Sequence, residues 1–235
     1  MIGANLIQDR RDDPANAHRG MYNSIDTGLA EHIFGGNKNF FRFLARNSYY
    51  KRLTGEWILA SNTEFGWIRP FRADPEVSAF DYVPLAEHFF GGGSSSHRGF
   101  GDNQAGPRDL LTGFPLGGNA LLFHTTELRF PFLGENINGV VFHDLGNIYK
   151  DLGSITFRVH QRDNQDFNYM VHAAGFGIRY NTPVGPVRVD LAYSFNPPTF
   201  FGLKGTYEEL IKGTATPQLQ RGKHFQFFIS IGQAF

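Results

Sequence analysis

Apolar residues recur at every second position along this chain, the period of a β-strand rather than of a helix. Val187, Val189, Leu191, Tyr193 and Phe195 share one face, and Arg188, Asp190, Ala192 and Ser194 share the other. Side chains alternate across a strand, so such a segment separates an oily medium from a wet one. The C-terminal stretch repeats this. Phe225, Phe227, Ile229, Ile231 and Phe235 fall on one face, broken by Gln233, and oppose Gln226, Ser230, Gly232 and Ala234, with Phe228 as an exception. Phe176, Ile178 and Tyr180 oppose Gly175, Gly177, Arg179 and Asn181. Trp57, Leu59, Phe65 and Trp67 oppose Ala60, Asn62, Glu64 and Gly66, and Phe41, Phe43, Ala45 and Tyr49 oppose Arg42, Arg46 and Ser48.

The pattern predicts nine strands, at about 2–9, 20–30, 39–52, 56–69, 119–131, 137–149, 169–182, 186–195 and 224–235. The first two alternate poorly. Most exceed the ~5–6 residues of an average soluble strand and match the ~9–11 needed to cross a bilayer at a tilt. From the second strand on, the connections alternate between long and short: 31–38, 53–55, 70–118, 132–136, 150–168, 183–185 and 196–223. Short turns at one end and long loops at the other characterise an outer-membrane barrel. Thr182 to Pro186 reads as a tight, rigid turn from its Pro and Gly content. The 70–118 connection, Gly/Ser-rich at 91–96, is too long for a structureless link and calls for a function. No linker splits the chain, so 1–235 is read as one domain.

Composition sharpens this picture. Lys plus Arg equals Asp plus Glu at 22 each, which excludes a nucleic-acid partner held by a basic surface. Cys is absent, so neither a disulfide framework nor a thiolate site exists. Phe, Tyr and Trp make up 15% of the chain, which a disordered segment would lack. No apolar run reaches the length of a membrane helix. Met1 is followed by Ile2-Gly3-Ala4-Asn5, without the basic and apolar regions of a signal peptide.

Several motifs resolve to ordinary readings. Gly91 to Phe100 lacks the Gly-Lys-Ser/Thr of a phosphate loop and a helical pattern after it. Gly175-Phe176-Gly177 is a strand with small residues on its wet face. The nine histidines show no ligand spacing, so no metal is expected. Asp163 to Asn168 lacks the Gly and terminal Glu of a calcium loop. Three charges stand apart: Arg98 in the long loop, Glu127 near the end of the fifth strand and Asp144 in the sixth.

Asp9-Arg10-Arg11-Asp12-Asp13-Pro14 with Gly20, Gly91 to Phe100 with Gly106-Pro107, and Gly117 to Ala120 leading to Glu127-Leu128-Arg129-Phe130 stand in a definite order. Val141 to Gly146 ends in an Asp-x-Gly, and Gly175 to Tyr180, Thr182 to Pro186 and Val189 to Tyr193 form the most specific run. In this order and spacing the chain resembles, over essentially its whole length, the C-terminal part of the BamA/TamA-type outer-membrane assembly barrels, the bacterial surface antigen family. Where that family has an aliphatic residue, Arg, Gly and an aromatic, this chain reads His97-Arg98-Gly99-Phe100.

The resemblance implies an all-β antiparallel transmembrane barrel of sixteen strands, of which these are about the last nine. It implies that the loop enters the lumen, where Arg98 pairs with Glu127 and Asp144. Arginine's planar, permanently charged fork suits carboxylates, and confined charges need partners. Gly99 would let the backbone turn sharply, and Phe100 would pack the contact. The implied function is insertion or assembly of proteins in the outer membrane, with no catalytic residue, metal, cofactor or ATP. Its lateral seam would carry Phe225, Phe227, Ile229, Ile231 and Phe235 on the last strand. The implied partners are outer-membrane lipids, client outer-membrane proteins, and the N-terminal strands and POTRA domains of the same barrel, which this sequence does not contain. A protein-secretion pore of the same superfamily is the nearest alternative. A passive porin, a soluble lipocalin-like binder, or a barrel enzyme using His160, Asp163 and Asp166 stand further off.

Overall fold

The computed structural model describes residues 1–134, 136–182, 185–232 and 235. Pro183 and Val184 of the predicted turn, and Gln233 and Ala234 of the predicted last strand, lie outside the described residues. One antiparallel sheet holds nine strands: β1 (Ile2–Asp9), β2 (Gly20–Ala30), β3 (Phe40–Arg52), β4 (Ile58–Pro70), β5 (Ala120–Leu133), β6 (Ile137–Tyr149), β7 (Val171–Tyr180), β8 (Val187–Ser194) and, after a separate hairpin, β11 (Phe225–Ile231). Each strand pairs with its neighbours in chain order, and β11 pairs with β8. β1 and β11 are therefore the two edges.

The registers fix the faces. Glu64, Phe123, Glu127, Asp144 and Asp190 turn to the face covered by the 71–119 segment, here the inner face. The opposite face keeps its apolar rows open: Phe176 is 59% exposed, and Phe225, Phe227, Ile229 and Ile231 each exceed 60%. An apolar row this open in a regular strand is a surface for hydrocarbon rather than water. Aromatic pairs mark its two ends: Trp57 stacks on Phe130 near the short turns, and Phe43 lies against Trp67 towards the long loops.

One patch of the outer face departs from the apolar pattern. Thr63 Oγ1 bonds His124 Nδ1 at 2.8 Å, His124 Nε2 bonds Thr126 Oγ1 at 3.0 Å, and His143 Nε2 meets His172 Nδ1 at 3.2 Å. Side chains on a lipid-facing wall must satisfy one another in this way.

Three expectations need correction. The 196–223 connection is not a plain loop. It carries a hairpin of β9 (Thr199–Lys204) and β10 (Thr216–Arg221), with a short helix α2 (Tyr207–Ile211) between them. Six-residue strands without a two-faced pattern give too little periodicity to register in sequence. α2 is opened by a capping box between Thr206 and Glu209. The last strand ends at Ile231, not 235. Phe235 leaves the lipid-facing row: Tyr50 Oη donates to its backbone oxygen at 2.6 Å, and its ring packs beside Tyr50 and Ala17 on the inner side.

The 71–119 segment is folded rather than structureless. It holds α1 (Ala79–Tyr82), capped by Ser78, and Phe89 and Gly118 exchange backbone hydrogen bonds at its base. Val83, Phe89, Phe100 and Ala105 of this segment pack among Phe40, Leu44, Ile68, Leu121, Phe123, Ile148 and Val171 of the sheet. That cluster is the core of the domain. The segment can stay folded on the inner face because it brings its own apolar side chains there.

Candidate functional site

The tip of the 71–119 segment reaches the middle of β5 and β6. Arg98 is 2% exposed there. Its Nε and Nη2 donate to Oδ2 and Oδ1 of Asp144, both at 2.8 Å, and its backbone N–H donates to Oδ2 at 2.9 Å. Its Nη1 donates to Glu127 Oε1 at 2.8 Å. The guanidinium also lies 3.4 Å from the centre of the Phe142 ring. This is the fork-to-carboxylate geometry that lysine cannot reproduce. Burial by itself would lower the guanidinium's pKa, but Asp144 and Glu127 outweigh it and raise the value.

Neighbouring residues hold the tip in place. His97 is fully buried. Its Nδ1 accepts from the Gly99 amide at 3.1 Å, which leaves the proton on Nε2 for donation to the Val171 carbonyl at 3.0 Å. The ring meets Phe100 and Phe123 edge-on. Burial pushes the His97 pKa down, so the neutral ring that this pattern needs is favoured. The chain does turn at Arg98 and Gly99, where the Phe100 amide donates to the His97 carbonyl at 3.2 Å, but Gly99 is not in the left-handed region and is not required there for its φ. A Cβ at this position would instead stand 2.9 Å from Ala173 Cβ and 2.8 Å from the His97 ring, so glycine is needed for space. The left-handed backbone falls earlier in the loop, at Gly92 and Gly93, both at positive φ. Phe100 is buried in the core cluster.

The charge cluster is larger than the three residues marked in the sequence. Glu127 Oε2 accepts from Arg129 Nε at 3.0 Å, and Arg179 Nη2 lies 3.6 Å from Oε1. Arg179 Nη1 donates to Asp190 Oδ1 at 2.6 Å, and Asp190 Oδ2 stands 3.8 Å from Arg98 Nη1. Arg129, Arg179, Arg188 and Asp190 all sit at alternate, inward positions of β5, β7 and β8. That alternation was the signal that could have found them, since a charge facing inward in a strand needs a partner.

At the long-loop end, Arg108 joins this segment to the hairpin. Its Nη1 donates to the Gly113 carbonyl at 2.9 Å and Nη2 to the Gln104 carbonyl at 2.7 Å, with Phe200 of β9 over the guanidinium. Burial pulls its pKa down to about 10. Asp166 is bound by Arg158 Nη1 at 2.6 Å, which makes it a brace of its own loop. Among the described residues no group of three or more His, Asp or Glu side chains could hold a metal ion.

A sheet of long antiparallel strands, oily outside and plugged inside around a buried arginine, defines an outer-membrane β-barrel protein. The sequence pattern of the Omp85 superfamily domain matches residues 1–235. The chain belongs to the Omp85 superfamily. It is 29% identical over 113 residues to the outer membrane protein assembly factor BamA of Neorickettsia risticii (strain Illinois), covering 47% of this chain and 14% of that protein. It is 26% identical over 165 residues to the protein of the same name from Nitratidesulfovibrio vulgaris (strain Hildenborough), covering 68% of this chain and 18% of that one. Its fold is similar to the crystal structure of BamA from Haemophilus ducreyi lacking POTRA domains 1-3. The TM-score is 0.66 at 19% identity, over 97% of this chain and 41% of that one. The chain thus spans less than half the length of each of these relatives.

Proposed function

We propose that residues 1–235 form the C-terminal part of a sixteen-stranded outer-membrane barrel that assists insertion and assembly of other proteins there. The 71–119 segment is its lumen loop, locked by Arg98 on Glu127 and Asp144. The working surface is a lateral seam at β11. The observation that carries this reading is the filled inner face, where Arg98 is held by Asp144 and Glu127, beneath a last strand whose outer row of Phe225, Phe227, Ile229 and Ile231 lies open to hydrocarbon. In this reading the pairing of β11 across the seam opens, and a strand whose edge is opened is a template for another strand. Phe235, turned inward against Tyr50, has no part in that outer row. A filled inner face favours lateral delivery over passage through the lumen, and so favours assembly over a secretion pore. The partners in this reading are membrane lipids, client outer-membrane proteins, and the strands and POTRA domains that complete the barrel.

Site-specific disulfide trapping in cells tests this. A cysteine at Phe227, on β11, should form adducts with the terminal strand of an outer-membrane client. A cysteine at Phe176, inside the sheet, should not. Equal trapping at both positions, or none at Phe227 while clients continue to assemble, rejects the seam.

A further inference from the structure

Arg188 is the one member of the buried arginine cluster that the clamp does not use. It lies on the inner face of β8 and is 2% exposed. The residue directly opposite on β7 is another cation, Arg179, whose own charge is met by Asp190 and Glu127. Among the described residues Arg188 has no carboxylate within ion-pair or hydrogen-bond distance, Asp190 and Glu127 acting on it only from further off, and its Nη1 has no hydrogen-bond partner.

What Arg188 does hold is a backbone carbonyl and a hydroxyl from two different parts of the protein. Nη2 donates to the Ser94 carbonyl of the lumen loop at 2.9 Å, and Nε donates to Ser230 Oγ of β11 at 3.0 Å. Nε and Nη2 are the paired donors on one edge of a guanidinium. At Arg98 that edge is filled by the two oxygens of Asp144. At Arg188 it is filled by one oxygen from the loop and one from the last strand. Because the guanidinium is planar and rigid, each oxygen holds it in the orientation the other requires. A buried cation that loses one of two acceptors is left short of partners, and repulsion from Arg179 then goes less opposed.

We propose that Arg188 is a positioning residue that couples docking of the lumen loop to pairing of the last strand. Ser94 is four residues from Arg98 in the same loop, so release of the clamp withdraws the Ser94 carbonyl as well. Arg188 then loses its hold on Ser230, and β11, the shortest strand of the sheet, loosens. Coupling free energies are reciprocal, so loosening β11 also weakens the docked loop. The proposal rests on the seam reading for its functional meaning: it makes the loop a regulator of the seam strand.

The test is hydrogen exchange of the full-length protein in native outer membranes, read separately for residues 91–104 and 225–231. Arg98→Ala should raise exchange in β11, and Ser230→Ala should raise exchange in the loop, each by about 5-fold or more. Ser230→Thr keeps the hydroxyl and should restore the loop. The Arg188→Gln, Ser230→Ala double variant should be no looser than Arg188→Gln alone. If the arginine variants do not fold, the two Ser230 variants decide the matter alone. A loop freed by Arg98→Ala while β11 exchange stays unchanged, together with a Ser230→Ala loop that is also unchanged, overturns the coupling. Client trapping at Phe227 separates the two claims. Coupled exchange with no client adducts rejects the seam and keeps the coupling, whereas adducts without coupled exchange reject only the coupling.

Discussion

Replacing Arg98 by alanine removes three side-chain hydrogen bonds to carboxylates and one cation over an aromatic ring. The consequences for the two acids differ. Glu127 keeps Arg129, with bonds at 3.0 and 2.9 Å. Asp144, fully buried, keeps a single hydrogen-bond donor among the described residues, the residue-98 backbone amide. Removing one member of a buried ion pair costs about 3–5 kcal/mol, mostly from the charge left behind. The penalty should fall on docking of the loop, since β5 and β6 remain paired along their length. Each 1.4 kcal/mol is tenfold, so the undocked population should rise by roughly a hundredfold or more. The assay is exchange of amides 91–106, with protease cleavage of the same segment in intact membranes. Arg98→Lys should recover only part of the loss, because a point charge cannot fill two oxygens of Asp144 and one of Glu127 together. Adding Asp144→Asn to Arg98→Ala should recover part of it too, by deleting the stranded charge. Loop exchange in Arg98→Ala indistinguishable from the unmodified protein would refute this account of the clamp.

Other predictions follow from the same contacts. Gly99→Ala must displace Ala173 or the His97 ring and should weaken loop docking by about 1–3 kcal/mol, read by the same exchange. His97 has a depressed pKa when docked, so its contribution is complete above its ordinary value of about 6.5 and is lost as pH falls below that through the lowered value. Asp144 opposes this loss, while Arg98 and His172 add to it. Loop exchange, corrected for intrinsic rate, should therefore rise between pH 7 and pH 5, and His97→Gln should remove that part of the dependence. Phe176→Arg places a charge on the outer wall and should cost about 2–4 kcal/mol if that wall meets hydrocarbon near the midplane, measured by unfolding in lipid vesicles. A negligible change would mean that the position faces water.

The alternation of residues determined much of this protein by itself. With a period of two, Val187 to Phe195 can only be a strand with two unlike faces, and the neighbouring segments repeat that statement. The hydrophobic pattern also indicates strand order, since each long two-faced strand pairs with the next such strand whether a tight turn or a long segment links them. The pattern could not say why Phe235 leaves its row, because Gly232 and the Tyr50 hydroxyl act there and neither shows in a periodicity. Nor could it find the hairpin of β9 and β10, whose strands are too short to show two faces. For the inner cluster, inward charges at Glu127, Arg129, Arg179, Arg188 and Asp190 were legible as positions, but their pairing was not. Arg98 and Asp144 are 46 residues apart in the chain, and Arg188 and Ser94 are 94 apart. Local sequence carries no information about which charges a folded loop will set against a distant strand. Only the tertiary structure decides that, because a buried guanidinium needs acceptor oxygens, and folding determines which distant ones converge on it.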